Sequence, residues 1–205
     1  MTATALFSKP ARDEQTAIAR ALARWGAYDA LAESTFLIKG GSSRVVCMVS
    51  PELAQHVLKL QPGAAGLGIG ELGKRHFIPT VAGADLFARA AQGGAGKYYV
   101  AVNENAEKLV LYGRNVMGGS MLRAAADLDE NELVILVNGR GEAIGVGRTR
   151  FAGRALFQKE RITITTVADA GRYLRDEDES KAKMATRISA AEDKERERDG
   201  QERRP

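Results

Sequence analysis

Hydrophobic positions near the start of the chain follow first a helical and then a strand rhythm. Within residues 13–25 they recur at spacings of three and four, which predicts a helix that Asp13 caps and Gly26 ends. The short apolar runs at residues 36–39 and 45–49 are typical of strands, and a glycine- and serine-rich turn separates them. We therefore expect a strand pair directly after the first helix.

The next segment continues the mixture of elements. Ser50 and Pro51 are a helix-start signal, and we expect that helix to extend to Leu60. Residues 62–73 are crowded with glycine and are predicted to be a loop. A short strand around residues 76–78 and a helix over residues 80–91 complete this part of the chain.

Beyond residue 96 the pattern favours short strands and turns. A polar turn is expected at residues 103–105, a short helix at 114–118, and a tight hairpin at Asn138-Gly139. Asp169 can cap a last helix at residues 170–175. Strands are predicted at residues 97–102, 108–112, 133–137, 143–147 and 161–167. Such a series within about 80 residues indicates a small barrel.

These patterns predict an α+β protein with three segments. Residues 1–95 mix helices and strands around one core, and the strands of residues 96–176 indicate a small barrel. Residues 177–205 are mostly charged, with Met184 and Ile188 as the large apolar residues, so we expect a disordered or fraying helical tail.

Composition narrows the possible environments. The chain has 44% hydrophobic and 27% charged residues, no apolar run long enough to span a membrane, and no pattern of a secretion signal at its start. Cys47 is the single cysteine, so no internal disulfide or multi-cysteine zinc site can form. We expect an intracellular, reducing compartment.

Positive charge is concentrated in one segment. The chain has a net charge of +4, and residues 140–161 alone carry six basic and two acidic side chains. Arg148 and Arg150 have the spacing that puts both side chains on one face of a strand, if that strand continues past Gly147. Arginine forms paired hydrogen bonds to phosphate, so RNA or DNA is a candidate partner. A solvated surface without a partner is the alternative.

Other candidate chemistry is weaker. Residues 68–73 match G-x-G-x-x-G, but no apolar strand precedes them and no long helix follows, which disfavours a dinucleotide site. His56 and His76 have no metal-ligand spacing to Cys47, and no nucleophile elbow or phosphate loop is present. We expect no cofactor, no metal and no catalytic residue. Tyr98, Tyr99 and Tyr112 could stack on bases, although strand alternation makes at least one of Tyr98 and Tyr99 a core or interface residue.

Two stretches carry a resemblance to a known family. Residues 111–120 (LYGRNVMGGS) and 133–147 (LVILVNGRGEAIGVG), followed by residues 162–175 (ITITTVADAGRYLR), resemble a PUA domain. The closing D-x-G-x-Y-L is similar to the end of Nip7-like ribosome-biogenesis proteins. Gly66-Leu-Gly68, Leu72-Gly-Lys74 and Phe77 resemble the loop of that family's amino-terminal domain.

The resemblance implies that residues 1–95 form a pre-PUA domain, which is an α/β domain with antiparallel strands and packed helices. It implies that residues 96–176 form a PUA pseudo-β-barrel that binds RNA. It also implies a non-catalytic role in pre-rRNA processing and large-subunit assembly. The expected partners are U- or AU-rich single strands of pre-rRNA, pre-ribosomal particles with their assembly proteins, and the archaeal exosome. The expected location is the archaeal cytoplasm, or the nucleolus for a eukaryotic member. The RNA-binding residues that the resemblance implies are Arg148, Arg150, Arg154, Lys159 and Arg161, with Lys74 and Arg75 as second-rank candidates.

Two alternatives remain open at this point. One is an RNA-modifying enzyme or its PUA-containing accessory subunit, because PUA domains accompany pseudouridine synthases and methyltransferases. The other is a purely protein-binding scaffold whose basic face meets an acidic partner.

Overall fold

Two β-sheets organise the chain. The computed structural model describes residues 6–73, 76–92, 94–172 and 175. The first sheet has five strands that are antiparallel throughout, and the second has six strands with one parallel pair. The described residues up to Ala170 form one compact unit, and Gly171 begins a second unit. The predicted α+β class is confirmed.

The first sheet is flanked by helices, and its strands follow one another in chain order. Both the hairpin at residues 36–49 and the helix that starts after Ser50 are confirmed, and the Ser50 side chain accepts a hydrogen bond from the Leu53 N–H. The elements are β1 (Phe7–Ser8), α1 (Arg12–Arg24), β2 (Thr35–Lys39), β3 (Val45–Val49), α2 (Pro51–Leu60), β4 (Leu67–Leu72), β5 (Phe77–Pro79) and α3 (Val81–Ala90).

Helix α1 begins one residue earlier than expected and has a different cap. Ala11, not Asp13, is the N-cap residue, and its N–H donates a 2.6 Å hydrogen bond to the Glu14 carboxylate. Glu14 is buried and also pairs with Arg44 from the turn between β2 and β3. Gly26, at φ +65°, ends the helix as predicted. The carboxylate thus links α1 to the first sheet.

The glycine-rich loop predicted at residues 62–73 is wrong over half of its length, because β4 occupies Leu67–Leu72. Glycines in β4 and in the helix packed on it allow other elements to approach this strand closely. A Cβ on Gly83 of α3 would lie 1.8 Å from the Ile69 carbonyl oxygen, and a Cβ on Gly70 would meet the Phe77 ring at 2.1 Å. Glycine here permits close packing on a strand and does not indicate a loop.

The second sheet curls around its own core. The elements of this part are β6 (Tyr99–Val102), α4 (Glu104–Leu111), β7 (Val116–Met117), β8 (Met121–Arg123), β9 (Leu133–Val137), β10 (Ala143–Thr149) and β11 (Ile162–Asp169). The strand order in the sheet is β7-β11-β10-β9-β6-β8. The strands β9, β10 and β11 form antiparallel pairs, whereas β6 runs parallel to β9.

Predictions in two places of this part of the chain are wrong. Residues 103–105 were expected to be a turn and residues 108–112 a strand, but residues 104–111 form α4 and Tyr112 is its C-cap. Residues 114–118 were expected to be a short helix but contain β7. Asn103 explains the first result, because its side chain caps α4 by accepting a 2.9 Å hydrogen bond from the Ala106 N–H. Ala106 and Val110 then bury one helical face at a spacing of four.

The hairpin between β9 and β10 is confirmed, but its turn is longer than two residues. Val137 pairs with Ala143, so residues 138–142 form the connection. The buried Asn138 side chain accepts hydrogen bonds from the backbone N–H groups of Arg140 and Glu142. Its amide group donates to the carboxylates of Glu107 on α4 and Glu142. One side chain therefore shapes the turn and attaches it to α4.

The two sheets share a hydrophobic core. Trp25, at the end of α1, is 1% exposed and meets the rings of Tyr98 and Tyr99 edge to face. Phe87 of α3 and Ile135 of β9 belong to the same cluster and are fully buried. This packing holds the first and second sheets in contact.

The remaining expectations concern the ends of the chain and its helices. In the part of the chain that the structure describes, no helix has the length and apolarity to cross a membrane. The helix predicted at residues 170–175 falls only partly within the described residues. The tail predicted at residues 177–205 lies wholly outside them.

Candidate nucleic-acid interface

Four of the predicted RNA-binding side chains lie on one connection. Residues 150–161 join β10 to β11 and contain the short 3-10 helix Gly153–Phe157. All four side chains are exposed, and the structure gives none of them an ion-pair partner among the described residues. We refer to them as the basic edge: Arg150, Arg154, Lys159 and Arg161.

The backbone of this connection is fixed at several points. The Arg150 N–H donates a 2.8 Å hydrogen bond to the Thr163 carbonyl oxygen, and the Gly153 N–H donates one of the same length to Leu128. Gly153 has a φ of +52°, and its Cβ position lies 2.8 Å from the Ala126 carbonyl oxygen, so glycine is required there. Leu156 is fully buried and anchors the 3-10 helix. Backbone hydrogen bonds and the buried Leu156 therefore fix the segment that carries the basic edge.

Aromatic side chains accompany the basic edge. The Arg161 guanidinium lies 5.9 Å from the centroid of the Phe151 ring, and Phe157 is 40% exposed between Arg154 and Lys159 in the sequence. Alternating basic and aromatic side chains suit a single strand, since bases stack on rings while phosphates meet cations. Sequence reasoning missed both phenylalanines, although the run FAGRALFQKER contains the signal.

Arg148 is separate from the other predicted residues. Strand β10 does continue past Gly147, but it ends at Thr149, and Arg150 is just beyond it. The half-buried Arg148 lines a groove against α1 and donates a 2.8 Å hydrogen bond from Nη1 to the Asn131 carbonyl oxygen. The five predicted RNA-binding residues of the second sheet thus divide into the four of the basic edge and Arg148, which lies in a groove.

This groove lies between α1 and the second sheet, and we call it the arginine groove. It has a cavity volume of about 650 Å³. Arg20 and Arg24 of α1 line it together with Arg148, and neither was predicted as a site residue. Their spacing of four, which puts both on one helical face, was the available signal. Gly73, His76 and Phe77 form another part of the wall.

The second-rank candidates, Lys74 and Arg75, lie outside the described residues. Their neighbours in sequence, Gly73 and His76, line the arginine groove. The assignment of Lys74 and Arg75 to RNA binding stays a prediction.

Arg24 is held in place within the groove. Its guanidinium lies 3.7 Å from the centroid of the Tyr98 ring, and Nη2 donates to the Leu133 carbonyl oxygen at 3.4 Å. Glu132 adds an ion pair at 3.5 Å. A planar guanidinium with five donors keeps further N–H groups for a ligand after making these contacts.

The three tyrosines have different surroundings. Tyr99 is 2% exposed, which confirms that one residue of the Tyr98-Tyr99 pair is in the core, and burial raises the pKa of its phenol above the usual range. Tyr98 is half-buried beneath Arg24. Tyr112 is 72% exposed at the end of α4 and is free to stack on a base.

The remaining candidates give no reactive centre among the described residues. Cys47 is 4% exposed, and burial raises the pKa of its thiol. No group of three or more potential metal ligands occurs in the described part of the chain. Gly68 and Gly70 lie inside β4 rather than at a turn into a helix, so residues 68–73 lack the geometry of a dinucleotide loop.

Comparison with known proteins identifies the family. Residues 7–81 match the model of the NIP7/UPF0113 pre-PUA domain, and residues 98–178 match that of the UPF0113 PUA domain. A UPF0113 protein of Archaeoglobus fulgidus is 33% identical over 171 residues, which cover 82% of this chain and 94% of the relative. The chain belongs to the NIP7/UPF0113 family. The predicted family resemblance is thereby confirmed.

Solved structures agree on the fold of this NIP7/UPF0113 protein. A hypothetical protein from Pyrococcus horikoshii OT3 superposes with a TM-score of 0.61 at 15% identity, covering 80% of this chain and 94% of that one. A conserved PUA domain protein from Thermoplasma acidophilum gives 0.55 at 13% identity, with the same two coverages. The predicted combination of an α/β segment and a PUA pseudo-barrel is confirmed. Membership of this PUA-containing family is consistent with RNA binding.

Proposed function

We propose that this protein is a non-catalytic RNA-binding factor that acts in ribosome biogenesis. The basic edge is the observation that carries the proposal. Its four cations are exposed and lack ion-pair partners among the described residues, so a phosphate backbone would not have to displace existing salt bridges.

The chemistry of the edge favours a single strand over a duplex. Phe157 offers an exposed ring to an unstacked base, and a duplex keeps its bases stacked and out of reach. In the proposed complex, Arg154 and Lys159 contact phosphates while Phe157 stacks on a base. We extend this to U- or AU-rich segments of pre-rRNA, because such segments remain single-stranded more readily than G·C-rich ones.

Family membership also supports a proposal for the biological setting. We propose that the protein joins pre-ribosomal particles, takes part in pre-rRNA processing and large-subunit assembly, and meets assembly proteins and the exosome there. The corresponding location is the cytoplasm of an archaeal cell, or the nucleolus of a eukaryotic one. Membership of the NIP7/UPF0113 family supports these proposals, and the fold supplies a rigid frame for the basic edge.

The test is fluorescence anisotropy with short poly-U, poly-A and duplex RNA over a series of salt concentrations. We expect preferential binding to U-rich single strands, with log affinity falling against log salt at a slope of about −0.7 for each phosphate contact. If duplex RNA bound as tightly as the U-rich single strand, the proposal that the protein prefers single strands would be wrong. No binding at physiological salt would favour a protein-binding scaffold and direct the search to acidic protein partners.

A further inference from the structure

We propose that the arginine groove is a second RNA site, which binds one nucleotide of a single strand with its phosphate against Arg20, Arg24 and Arg148. The inference rests on the proposed RNA-binding function and adds a site that is separate from the basic edge. Arg150, the nearest member of the edge in sequence, does not line the groove.

The groove has the size and composition of a ligand site. Its cavity volume of about 650 Å³ lies within the range of roughly 300–1,000 Å³ that is typical of small-ligand sites. The wall combines apolar rings with a few convergent polar groups, which is the usual composition of such sites. A single nucleotide has the matching combination of a flat base and a charged phosphate.

The charge of the groove selects an anion. Arg20, Arg24 and Arg148 line it, and Glu132 is the one carboxylate among its described lining residues. Glu132 pairs with Arg24, which leaves Arg20 and Arg148 without a carboxylate partner among the described residues. The described lining therefore has an excess of positive charge.

The donors are positioned before a ligand arrives. Arg148 donates from Nη1 to the Asn131 carbonyl oxygen, and Arg24 is fixed by the Leu133 carbonyl oxygen and the Tyr98 ring. Each guanidinium has five N–H donors, so both keep donors for a phosphate. Fixing a side chain in advance reduces the entropy lost on binding. Arg20 is exposed and can close over a bound phosphate.

The groove also offers aromatic contacts to a base. His76, in the connection between β4 and β5, is exposed, and Phe77, the first residue of β5, is half-buried; both line the groove. Unpaired RNA bases commonly stack on histidine and phenylalanine rings. Phosphate contacts from α1 and β10 and a base contact from β5 would thus let one nucleotide bridge the two sheets.

The decisive variant is Arg20→Glu, because Arg20 makes no side-chain contact that supports the fold among the described residues. We expect its affinity for a U-rich oligoribonucleotide to fall about fivefold, and the salt slope to decrease in magnitude by about 0.7. Arg20→Lys should retain most of the affinity, since the charge is preserved. Arg12→Glu is the matched control: it makes the same charge change at the other end of α1 and should bind like the unaltered protein.

Photo-crosslinking locates the bound nucleotide directly. With a thiouridine-substituted oligoribonucleotide, we expect crosslinked peptides that contain Phe77 or Tyr98, in addition to peptides from the basic edge. Crosslinks confined to residues 150–161, with unchanged binding by Arg20→Glu, would overturn the groove site and leave the proposed function intact. Failure of the unaltered protein to bind any RNA would overturn both.

Discussion

The phenolic O–H group of Tyr99 donates a 2.7 Å hydrogen bond to the backbone carbonyl oxygen of Trp25. Trp25 ends the first helix and Tyr99 begins the first strand of the second sheet. Both residues are buried, at 1% and 2% exposed, and their ring centroids are 6.2 Å apart. Water cannot reach a buried carbonyl oxygen to replace the lost donor. This hydrogen bond therefore stabilises the packing of α1 on the second sheet.

Tyr99→Phe should therefore reduce the free energy of unfolding by about 1–3 kcal/mol. The substitution keeps the ring in the core but leaves the Trp25 carbonyl oxygen without its donor. Urea denaturation followed by circular dichroism measures the change. Tyr112→Phe, at a site that is 72% exposed, is the control and should change stability by less than about 0.5 kcal/mol. Equal losses in both variants would contradict the assigned role of the bond.

Gly83→Ala should destabilise the protein even though alanine is the better helix former. In an exposed helix this exchange would stabilise by about 1 kcal/mol. Here the new Cβ would lie 1.8 Å from the Ile69 carbonyl oxygen, so α3 must move away from β4. We expect a loss of about 1–3 kcal/mol in the free energy of unfolding.

Gly139→Ala provides the comparison for that variant. Nothing lies within 4 Å of a Cβ built at Gly139, and its φ is not in the left-handed region. Its midpoint of thermal unfolding should stay close to that of the unaltered protein. A Gly83→Ala protein that unfolds at the same temperature as Gly139→Ala would show that α3 adjusts without cost.

The fold was predictable from sequence wherever apolar spacing and capping residues agreed. Helix α2 is the clear case, since Ser50 and Pro51 mark its start and its apolar positions follow the helical period. Helix α4 was missed because Leu109, Val110 and Leu111 form a short apolar run, and such a run fits a strand as well as a helix. The Asn103 cap decides in favour of the helix, but an asparagine suits a turn as well as a helix start, and residues 103–105 were assigned to a turn.

The site was predictable in part for a similar reason. Local sequence identified the basic edge, because its residues lie within one connection. The arginine groove was not identified, since it combines Arg20 and Arg24 with Arg148, far apart in the chain. Only the packing of α1 on the second sheet brings them to one cavity. Glycine content also misled the assignment of β4, because close packing and loops both require glycine.

Asn138→Ala should raise the pKa of Glu142 toward its usual range. That pKa is lowered in the native protein, first by the hydrogen bond from the Asn138 amide and then by the charge of Arg140. The variant removes the first cause and keeps the second. Carboxyl titration by NMR measures the shift. Glu52 is the internal control: its own backbone N–H and the Ser50 side chain lower its pKa, so its titration should not change.

The same variant has a pH-dependent effect on stability, whose sign follows from the direction of the shift. A carboxyl with a lowered pKa in the folded state stabilises the protein above its unfolded-state pKa, and this contribution disappears as the pH falls through the folded-state pKa. The stability difference between the unaltered protein and Asn138→Ala should therefore narrow in acid. A constant difference from neutral pH to pH values below both pKa values would mean that Glu142 does not contribute through Asn138.

Reversing charge at the basic edge should weaken RNA binding without unfolding the protein. Arg154→Glu combined with Lys159→Glu removes two proposed phosphate contacts, so the salt slope should fall in magnitude by about 1.4, and affinity by about tenfold or more. Both side chains are exposed, so circular dichroism and the unfolding midpoint should stay unchanged. Anisotropy with a U-rich oligoribonucleotide is the measurement.

The control for this double variant has the same net charge but alters a different surface. Arg12→Glu with Lys59→Glu changes two exposed cations, one at the start of α1 and one in the last turn of α2. If the basic edge makes specific contacts, the control should bind nearly as well as the unaltered protein, because general repulsion is screened beyond about 8 Å at physiological salt. Equal weakening in both double variants would instead mean that RNA responds to total charge, and the basic edge would lose its assignment.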